Sequence, residues 1–393
     1  MDSFIHIPKV GGSTIRTILA RQYGIEHILY HEPSAPWWDS RTASRGYVLK
    51  KVAQDNIALV TGHEPFGLHE LLWMPCRTFS MVRAPVQRAI SEYFYAFSYK
   101  HHIHRDEILS GRLSFEDFLA QQRFAGDSQA RMLAGLRQSE ENVLAAARYN
   151  ARHSLVVVGI QDRFDESILL FAKILRWAPP FYVSRNVTKL ERRIEERREQ
   201  IEAQAGLYEK HFIVDIELYN DLNSALSKRI SEEGAEFQAA LDAFREIQAD
   251  LASTAGEEVF DAYEFRALPT LPAFICERYA DSGPMRIIDM YLSRPPSAQP
   301  ASTNYAGHYV VLETGLVVGW AMDLSRGEPI YVSIYRDGTI IGAPKCSRMR
   351  SDVQADGAPR SNVGFQFDLG RPARRDEIYV VCFEGSPIQL SNS

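Results

Sequence analysis

The sequence predicts an α/β protein, a mainly parallel sheet flanked by helices, followed by a small all-β sandwich domain. Three observations carry that expectation. In the first half, short apolar runs alternate with amphipathic stretches, as when strands cross to helices. A glycine-rich turn carrying Lys9 joins the first such run to the first helix. Beyond a Pro/Ser/Ala segment at residues 295–303 the alternation gives way to short strands punctuated by Gly and Asp.

Residues 4–7 read as the first strand. Ile15, Ile18 and Leu19 then fall at helical spacing, after a turn whose Ser13 and Thr14 hydroxyls are natural helix caps. Residues 57–61 and 79–82 read as further strands, and the Val156-Val157-Val158 run makes 155–159 a buried one. After Pro85, which suits a first helical turn, Val86, Ile90, Tyr93, Phe94 and Phe97 recur on one face. Residues 189–204 mix both charges around a thin seam of Leu190, Ile194 and Ile201, predicting a solvated surface helix. Residues 236–252 read as helical, whereas 268–294 hold prolines and scattered aromatics with no clear period. Short strands are expected at 309–312, 316–321, 330–335, 339–341, 365–369 and 378–383, with Asp337-Gly338 a hairpin turn. The expected organisation is a first domain over 1–250, a helical or irregular extension over 251–294, a linker over 295–304 and the sandwich over 305–393.

The 393 residues are 45% hydrophobic, 24% charged and 11% aromatic, which excludes a disordered or fibrous chain. A net charge of −6 argues against nucleic acid as a partner, while leaving room for a local basic pocket. Cys76, Cys276, Cys346 and Cys382 are widely spaced, without a metal-binding pattern, and are expected to be reduced thiols. The best apolar run, residues 168–175, contains Lys173 and falls far short of the ~18 residues that cross a bilayer. The opening MDSFIHIPK lacks the basic start and apolar stretch of a cleavable leader, so a cytoplasmic protein with no transmembrane segment is expected.

The turn His6-Ile7-Pro8-Lys9-Val10-Gly11-Gly12-Ser13-Thr14 has the chemistry of an anion site. Its glycines let backbone N–H groups approach a ligand, the helix start favours negative charge, and Lys9 and the hydroxyls add donors. It is not a Walker loop, because Lys9 precedes both glycines instead of following the last; a P-loop kinase is thereby disfavoured. The order Pro-Lys-x-Gly-Gly-Ser-Thr instead resembles the 5′-phosphosulfate loop of sulfotransferases that use 3′-phosphoadenylyl sulfate (PAPS). A second segment, from Met81-Val82-Arg83-Ala84-Pro85 to Ser91-Glu92-Tyr93-Phe94-Tyr95, resembles the family's 3′-phosphate segment, with Arg83 and Ser91 at the binding positions. Arg offers a planar fork to phosphate oxygens. The family's usual Arg-Asp-Pro is here Arg83-Ala84-Pro85, so that acid is missing from position 84. Further segments, among them Thr61-Gly62-His63-Glu64, Gly126-Asp127-Ser128-Gln129-Ala130-Arg131, Val158-Gly159-Ile160-Gln161-Asp162-Arg163, Arg185-Asn186-Val187-Thr188 and Asp215-Ile216-Glu217-Leu218-Tyr219, occur in the order seen in heparan sulfate and uronyl 2-O-sulfotransferases, covering about residues 3–225.

That resemblance implies a P-loop-like fold, PAPS as co-substrate without a metal, and a carbohydrate acceptor. It implies nucleotide contacts from Lys9, Gly11, Gly12, Ser13, Thr14, Arg83 and Ser91, with Arg185, Asn186 and Thr188 in a late loop closing over the nucleotide. Lys9 would stabilise the leaving phosphate. His63 is the expected general base, since it follows a strand end and matches the family's Gly-His; an imidazole also titrates near neutrality. Glu64 is the competing base, and His6 and His69 are set aside as facing a strand interior and lying too far along. His101, His102 and His104 lack the carboxylate or cysteine set of a metal site. The aromatic stretch 93–105 either walls the acceptor cleft or packs its rings into the core. The C-terminal part resembles a β module attached to bacterial glycan-modifying transferases, through Gly319-Trp320-Ala321-Met322-Asp323, Asp337-Gly338 and Arg350-Ser351-Asp352-Val353. No catalysis is assigned to it, and Trp320 is expected to be a core residue. The competing function is a non-catalytic glycan-binding or scaffold protein retaining the sulfotransferase fold, for which Ala84 and the appended β domain are the arguments.

Overall fold

Five strands, β1 (Asp2–Ile5), β2 (Ile28–Tyr30), β3 (Leu59–Gly62), β4 (Arg77–Val82) and β5 (Leu155–Ile160), form one sheet in the order β2-β3-β1-β4-β5. Every pair in it is parallel. β1, β3 and β5 are buried at all positions, as a parallel sheet covered by helices requires. The protein is described by a computed structural model that covers residues 1–30, 48, 50–52, 55–121, 127–135, 142–183, 192–254, 278–297, 304–325, 328–356, 358–374, 376–383 and 389–392.

The first strand begins and ends two residues earlier than the sequence predicts. The ladder continues only through the bond from His6 N to Gly62 O (3.0 Å), after which the chain turns at Pro8 and Lys9. The connecting helices are α1 (Gly12–Tyr23), α2 (Leu68–Leu72), α3 (Pro85–Ser98), α4 (Arg105–Leu109), α5 (Phe115–Gln121), α6 (Ser128–Ala134), α7 (Val143–His153) and α8 (Phe164–Leu175). On one sheet face Phe4 packs on Phe79 at 5.0 Å, and Phe79 meets Phe171 of α8 edge-on at 5.5 Å. Ile15, Ile18 and Leu19 of α1 are fully buried in the same core, as their spacing predicts.

Among the described residues the longer helices that follow are α9 (Arg192–Ala203), α10 (Ile213–Glu233), α11 (Ala235–Thr254) and α12 (Gly283–Ser293). α10 went unread in the sequence, and α12 lies where no period was legible. Its inward residues Met285, Ile288 and Tyr291 join the core built on the sheet, and Ser282 caps it by accepting from Met285 N at 3.2 Å. Residues 283–293 thus pack as part of the α/β layer. A buried ion pair holds them there: Lys173 Nζ lies 2.9 Å from Glu233 Oε2 and 3.7 Å from the centroid of Tyr291. A second cluster joins Val86, Ile90, Tyr93 and Phe94 of α3 to Ile108, Phe115, Phe118 and Ile201. These rings of the 93–105 stretch therefore belong to the core.

Beyond the segment at 298–303, β6 (Tyr305–Val311), β7 (Leu316–Asp323), β8 (Val332–Arg336), β9 (Thr339–Gly342), β10 (Arg348–Met349), β11 (Asn362–Asp368), β12 (Tyr379–Phe383) and β13 (Ser391–Asn392) form two sheets, β10-β11-β7-β6-β13 and β12-β8-β9. All pairs are antiparallel except β13 with β6. Tyr309, Val317 and Phe365 of one sheet share a core with Val332, Ile334 and Val381 of the other, which makes a two-layer sandwich. Asp337 and Gly338 both take positive φ (49° and 78°), the left-handed pair that a tight hairpin between β8 and β9 needs. Trp320 is buried; its ring meets Trp73 at 5.2 Å, and Trp73 Nε1 donates to Asp356 O at 3.0 Å. Among the described residues no helix is long and apolar enough to cross a membrane.

Candidate functional site

The strand order reverses about β1: β3 lies on one side and β4 on the other. In open parallel sheets that arrangement leaves a crevice at the carboxyl ends. The loop after β1 enters it. Lys9 and Gly11 both take left-handed backbone, with φ 67° and 85°. Gly11 is the residue preceding α1, and no side chain caps that helix. Ser13 and Thr14 lie inside the first turn, after the position that precedes the helix. A helix start of this kind favours an anion. Gly12 is required by space as well, since a Cβ there would stand 1.8 Å from His6 Nε2.

Lys9 Nζ sits 3.6 Å over the Tyr95 ring. Burial brings its pKa down to about 8, Glu92 works against the shift and Arg83 adds to it. Arg83, one residue past the end of β4, donates from Nη1 to Lys9 O at 3.3 Å. The two segments that the sequence offers for an anion are thereby joined. Arg83 Nε is buried with no hydrogen-bond partner among the described residues. Burial lowers the Arg83 pKa, and Asp162 opposes the shift while Arg198 reinforces it. Two partly desolvated cations beside a helix start fit a ligand carrying negative charge at two places. Ser91 is half-buried two turns into α3. Arg185, Asn186 and Thr188 lie outside the described residues.

On the β3 side of β1, His63 follows Gly62. Its Nδ1 lies 2.7 Å from His6 O, and since a carbonyl only accepts, Nδ1 carries the hydrogen and Nε2 is the basic nitrogen of the ring. The His6 and His63 rings lie 4.6 Å apart. Burial, with His63 and Arg16 adding to it, brings the His6 pKa down to about 3, so that ring stays neutral. Glu64, the other sequence-predicted base, is buried and lines a cavity with Ser3, Ile5 and Val60. Phe4 and Thr61 line the same cavity. His69 is buried against Phe66, with ring centroids 5.1 Å apart.

His102 Nε2 lies 3.8 Å from Glu92 Oε1 and His104 Nδ1 lies 3.0 Å from Glu107 Oε2, so each ring is engaged with its own carboxylate. Among the described residues no three His, Cys, Asp or Glu side chains are grouped to hold a metal ion.

Four residues to which the sequence assigns no role stand in or against this crevice: His6, Tyr95, Gln129 and Asp162. Asp162 Oδ2 accepts from Ala84 N at 3.1 Å, placing a carboxylate at the start of α3 although position 84 has none. Tyr95 was legible only as one aromatic among several. Gln129 and Asp162 carried no signal in spacing, because their partners lie 46 and 78 residues away.

The fold and this crevice define a parallel α/β protein in which Lys9 and Arg83 meet at the sheet's carboxyl end with an oriented histidine, His63, across β1. No family model matches the chain, and no curated protein matches it.

Proposed function

We propose that this protein is a sulfotransferase with a P-loop-like fold that moves the sulfuryl group of PAPS to a hydroxyl of a carbohydrate acceptor. The observation that carries the reading is the bond from Arg83 to the Lys9 main chain, because it brings both sequence-predicted anion segments to one crevice. His63 stands on the other side of β1, with Nε2 as its basic nitrogen.

In this reading His63 Nε2 takes the proton of the acceptor hydroxyl as that oxygen forms its bond to sulfur. The bond from sulfur to the bridging phosphate oxygen breaks, and Lys9 with the start of α1 stabilises the charge left on that oxygen. Arg83, with Ser91 on α3, holds the 3′-phosphate. No step calls for a metal. A cytoplasmic setting is part of the proposal. The competing reading of a non-catalytic glycan-binding protein leans on Ala84, and Asp162 weakens it by supplying a carboxylate at the same backbone position.

Incubation of the full chain with radiolabelled PAPS and a panel of glycans tests the proposal. Transfer of label to an acceptor that is lost in His63→Ala is expected. Failure to bind adenosine 3′,5′-bisphosphate would overturn the sulfotransferase reading.

A further inference from the structure

Arg83 lies just past the last paired residue of β4, where its backbone N–H and C=O would otherwise lack a strand partner. The Gln129 side chain supplies both partners. Its Oε1 accepts from Arg83 N at 2.9 Å and its Nε2 donates to Arg83 O at 2.9 Å. A carboxamide carries the same donor and acceptor as a peptide unit, so Gln129 stands in for one residue of a neighbouring strand. Gln129 is itself almost fully buried and is held from behind. Asp215 of α10 accepts from Gln129 N at 3.2 Å and from Ala130 N at 2.7 Å, while Asp215 N donates to Asp127 Oδ1 at 3.0 Å. A continuous chain of bonds therefore runs from a buried carboxylate through α6 to Arg83, and from Arg83 Nη1 to the Lys9 carbonyl.

From this geometry we infer that Gln129 is a positioning residue that fixes Arg83 against the Lys9 loop and thereby sets the preference for a nucleotide bearing phosphate at both its 3′ and 5′ positions. The inference rests on the sulfotransferase reading and deepens it. A guanidinium recognises phosphate through a planar fork whose direction must be set in advance. Arg83 Nε has no partner among the described residues, so the backbone clamp supplied by Gln129 does what a side-chain ion pair does elsewhere. Lys9 is held by its own loop and by Tyr95. Loss of Gln129 should accordingly loosen the Arg83 end of the crevice and leave the Lys9 end in place.

Calorimetric titration of the full-length protein with adenosine 3′,5′-bisphosphate and with 5′-AMP tests this in wild type, Gln129→Leu, Arg83→Ala and the double variant. Gln129→Leu should weaken the bisphosphate by about tenfold or more, the scale of one charge-assisted hydrogen bond, while AMP changes by less than about twofold. In the Arg83→Ala background Gln129→Leu should add nothing. Equal weakening of both ligands, or an undiminished effect in that background, would mean that Gln129 supports the fold alone, and the inference falls. Gln129→Met covers the case in which the leucine variant does not fold, because it keeps the length of the side chain and removes both bonds to Arg83 without adding a charge. A selective loss of bisphosphate affinity there supports the inference, and its absence overturns it. Wild-type protein that binds both nucleotides equally would fail the sulfotransferase reading first, and this inference with it.

Discussion

Arg83 Nη1 donates to the main-chain oxygen of Lys9 across 74 residues of sequence. The bond exists because β1 and β4 are neighbours in the sheet, so the segments that leave their carboxyl ends meet over the same crevice. Removing either cation should therefore weaken the same ligand. Lys9→Ala and Arg83→Ala are each expected to cost about 1.5–3 kcal/mol of binding to adenosine 3′,5′-bisphosphate, measured by calorimetry. Only Arg83→Ala should spare AMP.

His63→Ala should leave that nucleotide affinity unchanged and lower kcat by roughly 10²–10⁴, the usual weight of a general base. Glu64→Gln should lower kcat much less. Steady-state rates with PAPS and the acceptor decide between the two, and the reverse ranking would transfer the base to Glu64.

The Lys9 ammonium gives binding a pH dependence of known sign. In the free protein its pKa is about 8, and a bound phosphate must raise it. Below pH 8 the lysine is already charged, so affinity should be flat with respect to this group. Above it each binding event takes up a proton, and affinity should fall by up to about tenfold per pH unit. A profile still flat well above that pKa would remove Lys9 from the contact.

Gly12→Ala should disturb both histidines, because the new Cβ would stand 1.8 Å from His6 Nε2. Displacing that ring is expected to cost about 1–3 kcal/mol of stability and to move the His6 carbonyl that orients His63. Thermal melts and kcat for this variant should fall together.

Lys173 and Glu233 are both buried, so deleting one strands the other. Lys173→Ala should destabilise the protein by about 3–5 kcal/mol, and replacing both residues by apolar ones of similar volume should recover most of it. Burial alone pushes the Glu233 carboxyl up, but its bonds from Lys173 and Ser297 outweigh this and hold its pKa below the ordinary glutamate value. The pair's contribution is thus present above the unfolded-state pKa and lost as pH falls through the folded one. Denaturant titrations across the acid range should show that loss in wild type and not in the double variant.

The anion loop, α1, α3, four of the five parallel strands and the Asp337-Gly338 hairpin were legible because each is written in contiguous residues: apolar spacing, a proline at a helix start, glycines where φ is positive. β2 spans only three residues, too short to show a period. α10 has apolar positions diluted by charged ones along 21 residues, and α12 sits among aperiodic sequence. The aromatics of 93–105 could not be sorted by sequence, since facing the core and facing the crevice use the same residue types. Packing sends Tyr93 and Phe94 inward and sets Tyr95 under Lys9.

The sequence by itself determined that Lys9, Arg83 and His63, the residues the proposed function uses, each stand just past the end of a short apolar run. Only the tertiary structure decided that Arg83 binds the Lys9 loop, that Gln129 and Asp162 clamp the backbone at 83 and 84, and that the His6 carbonyl fixes the protonated nitrogen of His63. Strand order within a parallel sheet is set by how the crossover helices pack, a long-range choice that no local pattern encodes. The contacts between strand ends follow from that order.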